Sequence, residues 1–206
     1  MNDDLQPCAA CGETTNFAPF LRGPVSLWRC RTCGYVAQNI GPGCWTPPDH
    51  LGGVDAEAFV VGGANWLWPE RRDGLEDIRR RIAGRLTAEK IRLLDVGCGD
   101  GQFLDLCRQA GWSAWGIEPE SSLAAHAVGV TGCEVCSTLY GVDAFPADAF
   151  DAVSFIQTLE HFPRPADALK AAWTHLKPGG VLAVEVPSLR SPHWLAWRLT
   201  RSRQFV

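Results

Sequence analysis

Leu93-Leu94-Asp95-Val96-Gly97-Cys98-Gly99-Asp100-Gly101 is the stretch that decides the fold of this chain. Ile91 to Val96 reads as a short apolar strand that runs into three glycines at alternate positions. Phe103, Leu104, Leu106 and Cys107 then recur at helical spacing. Strand, glycine turn and helix bring main chain close to a ligand at the carboxyl end of a parallel sheet. Glycine serves there because it lacks Cβ, tolerates positive φ and leaves space beside the backbone. The pattern is G-x-G-x-G preceded by Asp95. It matches neither the G-x-G-x-x-G of dinucleotide folds nor the G-x-x-x-x-G-K-[ST] of a P-loop.

Three further segments follow in order. Trp112 to Pro119 reads as a second strand ending in Glu118, which lies 17 positions after Gly101. Phe150 to Gln157 is an apolar strand bounded by polar residues, followed by Thr158-Leu159-Glu160-His161-Phe162. Leu176-Lys177-Pro178-Gly179-Gly180 leads into the apolar run Val181 to Val186. Together these pieces resemble the class I S-adenosylmethionine (SAM)-dependent methyltransferases of small-molecule type. The glycine turn is similar to their motif I, Leu159-Glu160-His161 to the LEH after strand four, and Leu176 to Gly180 to the LKPGG before strand five. The resemblance covers about residues 75 to 188.

That resemblance implies an α/β fold: a Rossmann-like, doubly wound, mostly parallel sheet of at least five strands in the order 3-2-1-4-5. It implies SAM as cofactor, held by Asp95, Gly97, Cys98, Gly99, Gly101, Glu118, Pro119, Leu139 and Gln157. Glu118 is expected on the ribose hydroxyls, since a carboxylate can accept both hydrogen bonds. Asp95 is expected to support the loop or the methionine amino group, and Gln157 to lie near the methionine end. Leu139 and Tyr140 are expected to flank adenine, with Asp143 a weaker candidate for its amino group. His161 is the expected catalytic base and Glu160 its runner-up, because imidazole titrates near neutrality. The alternative is that both residues only shape the loop.

The nine cysteines divide unevenly. Cys8-Ala9-Ala10-Cys11 and Cys30-Arg31-Thr32-Cys33 are two C-x-x-C pairs, each followed by glycine. Two such knuckles can complete a tetrahedral zinc-ribbon site for Zn2+. A disulfide framework is disfavoured in a reducing compartment, and neither pair opens a thioredoxin-like helix. Cys133-Glu134-Val135-Cys136 has the same spacing but falls on an expected strand, where alternation points the thiols apart. It is read as structural, as are Cys44, Cys98 and Cys107.

The expected organisation is a zinc-ribbon module over residues 1–40, a Gly/Pro/Trp-rich linker over 41–69 and a SAM-binding domain over 70–206. Trp45, Phe59, Trp66 and Trp68 in the linker read as anchors on the main domain, or as lining for an acceptor pocket. Residues 70–86 read as a helix with Leu75, Ile78, Ile82 and Leu86 on one face. Arg71, Arg72, Arg79, Arg80, Arg81 and Arg85 decorate it as a solvated basic face or as phosphate contacts. The family sheet has seven strands, whereas five can be placed before Pro187. Ser191 to Arg203 reads as an amphipathic helix, so the domain is expected to lack the last strands. The tail or a second copy in a homodimer is expected to cover the strand-five edge.

Composition sets the remaining bounds. A hydrophobic content of 46% with 20% charged residues is ordinary for a globular protein. The net charge of −4 supplies no general attraction to nucleic acid or anionic membranes. No long apolar run or signal peptide is present in the sequence, so a cytoplasmic location is expected. A four-Cys module ahead of this domain resembles the sugar C-methyltransferases of deoxysugar biosynthesis. That implies a small-molecule acceptor, extending to a nucleotide-linked sugar or a natural-product or glycan intermediate. An rRNA methyltransferase is the alternative, against which the acidic balance counts. A shortened, non-catalytic SAM- and zinc-binding protein is the third reading.

Overall fold

The computed structural model describes residues 8–12, 17–21, 27–38 and 68–188. The expected linker up to residue 67, Cys44 and the tail from residue 189 lie outside the described residues. The amino-terminal unit is a three-stranded antiparallel sheet of β1 (Phe17–Leu21), β2 (Leu27–Cys30) and β3 (Val36–Gln38). Phe17 pairs with Cys30 in its register and packs with Cys8 and Cys30. So small a core leaves room for a metal to contribute much of the folding free energy.

The larger unit begins with α1 (Trp68–Ala83) and alternates strands and helices through β8. Its strands are β4 (Arg92–Val96), β5 (Ser113–Ile117), β6 (Glu134–Cys136), β7 (Phe150–Ile156) and β8 (Leu176–Glu185). Its other helices are α2 (Gln102–Gln109), α3 (Ser121–Thr131) and α4 (Pro165–His175). The sheet order is β6-β5-β4-β7-β8 and every pairing is parallel. Counted from β4, that is the expected 3-2-1-4-5 order.

Alternation along β4 builds both cores, because successive strand residues face opposite ways. Leu94 and Val96 join Val153, Phe155 and the alanines of α4. Leu93 joins Ala152, Ile156, Leu75 and Ile82 of α1, and Phe103 and Leu106 of α2. Asp95 shares a face with Leu93 and is therefore carried inside, under α1 and α2. The register pairs it with Ser154 on β7 and Gly116 on β5.

α1 starts two residues before the expected helix, with Pro69 suited to its first turn, and stops before Gly84. Gly84, Arg85 and Leu86 then close tight turns back onto Arg80, Ile82 and Ala83. Three of its arginines pair locally, Arg79 and Arg80 with Glu76 and Arg81 with Asp77.

Leu176 to Gly180 is part of β8 rather than a turn before it. Phe150 pairs with Leu176 and Ala152 with Val181, so the intervening residues form a bulge. Gly179 takes φ +79° there, and a Cβ on Gly180 would lie 2.9 Å from the Lys177 carbonyl. Among the described residues no strand pairs with the other edge of β8, and Leu182, Val184 and Val186 near that edge are exposed.

Candidate functional site

The carboxyl ends of β4, β5 and β7 bring the motif residues together. Gly97 and Cys98 both donate their backbone N–H to Ile117 O, at 2.7 and 3.0 Å, which folds the turn over the end of β5. Gly97, Gly99 and Gly101 have φ of +72°, +55° and +87°, a region costly for residues with Cβ. The absence of Cβ serves a different purpose at each. At Gly97 a Cβ would collide with the Thr158 side chain. At Gly101 it would lie 2.9 Å from Thr131 Cγ2 and 3.1 Å from Ala127 Cβ, so this glycine lets α3 close on the turn. At Gly99 a Cβ would meet nothing within 4 Å. Gly99 is thus the glycine of the three beside which the main chain faces open space.

Glu118 stands beside that opening. Its Oε2 accepts the Gly99 N–H and its Oε1 accepts the Glu120 N–H, both at 3.0 Å. Each oxygen keeps a second acceptor direction for a ligand hydroxyl. Burial raises the Glu118 pKa above the usual carboxylate range, while the Glu120 and Gly99 N–H groups oppose the rise. Pro119, the next residue, is exposed. Cys98 is buried with Leu104, Ala127 and Cys133, and burial pushes its thiol pKa up. It is a packing thiol whose neighbour across the sheet, Gly116, has no room for a Cβ.

Asp95 is 2% exposed, and its Oδ1 accepts a 2.6 Å hydrogen bond from Ser154 Oγ. Burial lifts its pKa to about 7, the Ser154 bond and Arg71 pull it down, and Glu118 adds to the rise. Ser154 was not an expected site residue, and Arg71 was expected only on a solvated basic face or as a phosphate contact. Ser154 could have been found only from the β4–β7 register. Arg71 was legible as a cation but not as one facing Asp95.

Gln157, at the end of β7, is a non-glycine residue with φ +54°. Such strain persists where surroundings over-determine it. Its N–H donates to Glu185 O at 2.8 Å and its Nε2 to Glu185 Oε1 at 2.9 Å. Thr158 follows and shares its hydroxyl between Ile156 O and Gly97 O, at 3.1 and 3.3 Å. Glu160 and His161 are exposed on the 3-10 turn Leu159–His161. Partial burial raises the Glu160 pKa and Glu185 adds to it, against its own backbone N–H and His161. Glu185, another residue not expected from sequence, thus joins Gln157, Glu160 and His161 in one cluster at the top of the sheet.

The loop after β6 departs from expectation. Tyr140 was expected to flank adenine, but it is buried, edge-on to Phe155 and Phe162. Its hydroxyl meets His175 Nδ1 at 2.8 Å, while His175 Nε2 lies 2.9 Å from Val142 O. A carbonyl only accepts, so Nε2 carries the proton and Nδ1 accepts from Tyr140. The pair ties the loop to the end of α4. Leu139 stays outside, 59% exposed, and Asp143 is also exposed.

In the amino-terminal unit, the sulfurs of Cys8, Cys11, Cys30 and Cys33 all lie within 4.8 Å of one another. Cys8 Sγ and Cys33 Sγ are 3.6 Å apart. Zn–S bonds of about 2.3 Å in a tetrahedron put sulfurs about 3.8 Å apart. The donor set therefore suits zinc. Each knuckle closes with a glycine N–H, Gly12 to Cys8 O at 2.8 Å and Gly34 to Cys30 O at 3.0 Å. The backbone N–H of Cys33 lowers the Cys30 pKa to about 7 against burial, aided by Thr32. Against the Tyr35 N–H, burial and the three neighbouring thiols push the Cys33 pKa up to about 12. A cation relieves that mutual repulsion. Cys133 is buried and Cys136 exposed, so the third C-x-x-C forms no such group.

A family model described as a methyltransferase domain matches residues 67–206. The chain is 34% identical over 96 residues to a ubiquinone biosynthesis O-methyltransferase of Stutzerimonas stutzeri, covering 43% of this chain and 41% of that protein. It is 33% identical over 107 residues to the protein of the same name from Xanthomonas axonopodis pv. citri, covering 49% and 45%. The chain thus spans less than half the length of these curated relatives. A SAM-dependent methyltransferase structure from Thermotoga maritima aligns with a TM-score of 0.54 at 24% identity, covering 70% of this chain and 66% of that one. A Pyrococcus horikoshii protein aligns with a TM-score of 0.54 at 22% identity, with the same coverage. At these identities the two structures bear on the fold alone. Among the described residues, no helix is long and apolar enough to cross a membrane.

Proposed function

The chain belongs to the class I SAM-dependent methyltransferases, and from that premise we propose that it methylates a hydroxyl group of a small-molecule acceptor. The observation that carries the reading is the open side of Gly99, with its N–H held on Glu118. A side chain there would project into that open space, which stands next to a carboxylate with acceptor capacity to spare. When bound, SAM supplies an electrophilic methyl group on a sulfonium.

The chain's own residues do the rest. Glu118 would accept the ribose hydroxyls of bound SAM, and Gly99 would let main chain approach it. Asp95 and, just after β7, Gln157 braced by Glu185 would hold its positively charged methionine end. Most of the rate gain in such a displacement comes from alignment. His161 would take the proton that the acceptor hydroxyl loses, with Glu160 as the second candidate. The two ubiquinone O-methyltransferase relatives support an oxygen acceptor of small-molecule class. A nucleotide-linked sugar is the narrower form suggested by the four-Cys architecture. The thiolates of Cys8, Cys11, Cys30 and Cys33 would hold one Zn2+ in a structural role.

The test is transfer of isotope-labelled methyl from SAM to a panel of phenols, sugar nucleotides and RNA. Labelling of a hydroxyl compound that His161→Ala slows at least tenfold supports the proposal. Labelling of RNA alone overturns it.

A further inference from the structure

A buried hydroxyl beneath the glycine turn has no role in the function proposed above. Ser154 is 0% exposed, on the central strand β7, opposite Asp95 in the parallel register. Its Oγ has two acceptors in reach, Asp95 Oδ1 at 2.6 Å and Leu94 O at 3.4 Å. A hydroxyl has one proton, and the shorter contact with a carboxylate takes it. Among the described residues, Asp95 Oδ2 accepts no hydrogen bond. The geometry therefore fixes one carboxyl oxygen and leaves the other without a hydrogen bond among the described residues.

We propose that Ser154 is a positioning residue that keeps Asp95 an oriented carboxylate under the turn and so couples binding of the cationic end of SAM to proton release. The inference rests on the SAM-binding reading given above. The charged and titratable groups facing Asp95 are Glu118 from β5, Arg71 from α1, Cys98 of the turn and Cys107 from α2. Of these, Arg71 favours the carboxylate and Glu118 opposes it, while both thiols have raised pKa values and stay neutral. Among the described residues, Ser154 is the one neutral group that hydrogen-bonds to the Asp95 carboxylate.

The direction of the pH effect follows. Burial holds the Asp95 carboxyl near 7, above the ordinary value of about 4. The folded protein thus keeps a proton that the unfolded chain gives up. The stability contributed by Asp95 is present below about pH 4 and is lost as pH rises to about 7. A bound cation favours the carboxylate, so SAM binds more tightly as pH rises through about 7 and protons leave on binding.

The experiment is calorimetric titration of SAM from pH 6 to 9 in two buffers of different ionisation enthalpy. It uses the wild-type chain, Ser154→Ala, Ser154→Thr and Asp95→Asn, with melting temperature against pH for each unliganded protein. Expected for Ser154→Ala is a SAM affinity at pH 7 reduced roughly five- to twentyfold, a gap that closes by pH 9. Its proton release moves to higher pH, and Ser154→Thr restores the wild-type profile. Asp95→Asn should be weak and flat with pH. Wild-type and Ser154→Ala profiles that superimpose while SAM binds would overturn the inference and leave the cofactor reading standing. If SAM binds at no pH, the cofactor reading fails and with it the coupling to binding. The stability profiles then still decide whether Ser154 controls Asp95, because removing the hydroxyl must extend the falling limb to higher pH.

Discussion

Replacing Glu118 by alanine removes the one side chain that the turn, β5 and a ribose would all share. Its two oxygens already accept Gly99 N–H and Glu120 N–H at 3.0 Å each. The remaining acceptor directions are those available to two ligand hydroxyls. A hydrogen bond to a charged group is worth about 1.5–3 kcal/mol. Two such bonds would double that, but part of the gain is offset by desolvating a carboxylate already driven towards its neutral form by burial. The expected loss is therefore the single-bond range, roughly 10- to 150-fold in SAM affinity. Glu118→Gln keeps one acceptor oxygen but turns an amide N–H2 towards a backbone donor, so its loss should fall between wild type and alanine. Calorimetric titration gives the affinities, and a melt of each variant checks that the turn survives. Wild-type affinity in a folded Glu118→Ala protein would refute the reasoning and place the ribose elsewhere.

Other perturbations separate residues that look alike in sequence. Gly97→Ala and Gly99→Ala share a backbone penalty of roughly 1–2 kcal/mol from positive φ. Only the first also collides with Thr158, so it should melt lower, whereas Gly99→Ala should lose more SAM affinity per degree of melting temperature lost. Tyr140→Phe leaves the buried His175 Nδ1 without its donor and should cost about 1–3 kcal/mol in a denaturant titration; unchanged stability would show that the clamp is not closed. Cys30→Ser should reduce bound zinc from one equivalent to near none by elemental analysis while SAM binding persists. A full equivalent retained would exclude the four-thiolate site.

Particular residues show how far the sequence reaches. The alternation of Leu93, Leu94, Asp95 and Val96 and the glycines after them are local signals, and the sheet order followed from the family they resemble. The four N-terminal cysteines were legible because metal-ligand spacing is also local. What could not be read was anything set by strand register or by contacts across the sheet. Ser154 looked like one polar residue in an apolar run, yet the β4–β7 register puts it on Asp95. Gly97, Gly99 and Gly101 looked equivalent, yet two make room for protein atoms and one faces open space. Tyr140 was assigned to a ligand from its place after a strand, whereas the aromatic core and His175 claim it. Glu185 gained meaning only when β8 brought it beside Gln157.

If the glycine turn with Glu118 and Asp95 is a working SAM site, calorimetric titration of SAM into the purified 206-residue chain, with zinc content determined on the same sample, will show it. One SAM bound per chain with micromolar-range affinity, alongside one zinc, is the expected result. A folded, zinc-loaded protein that takes up no SAM would contradict it.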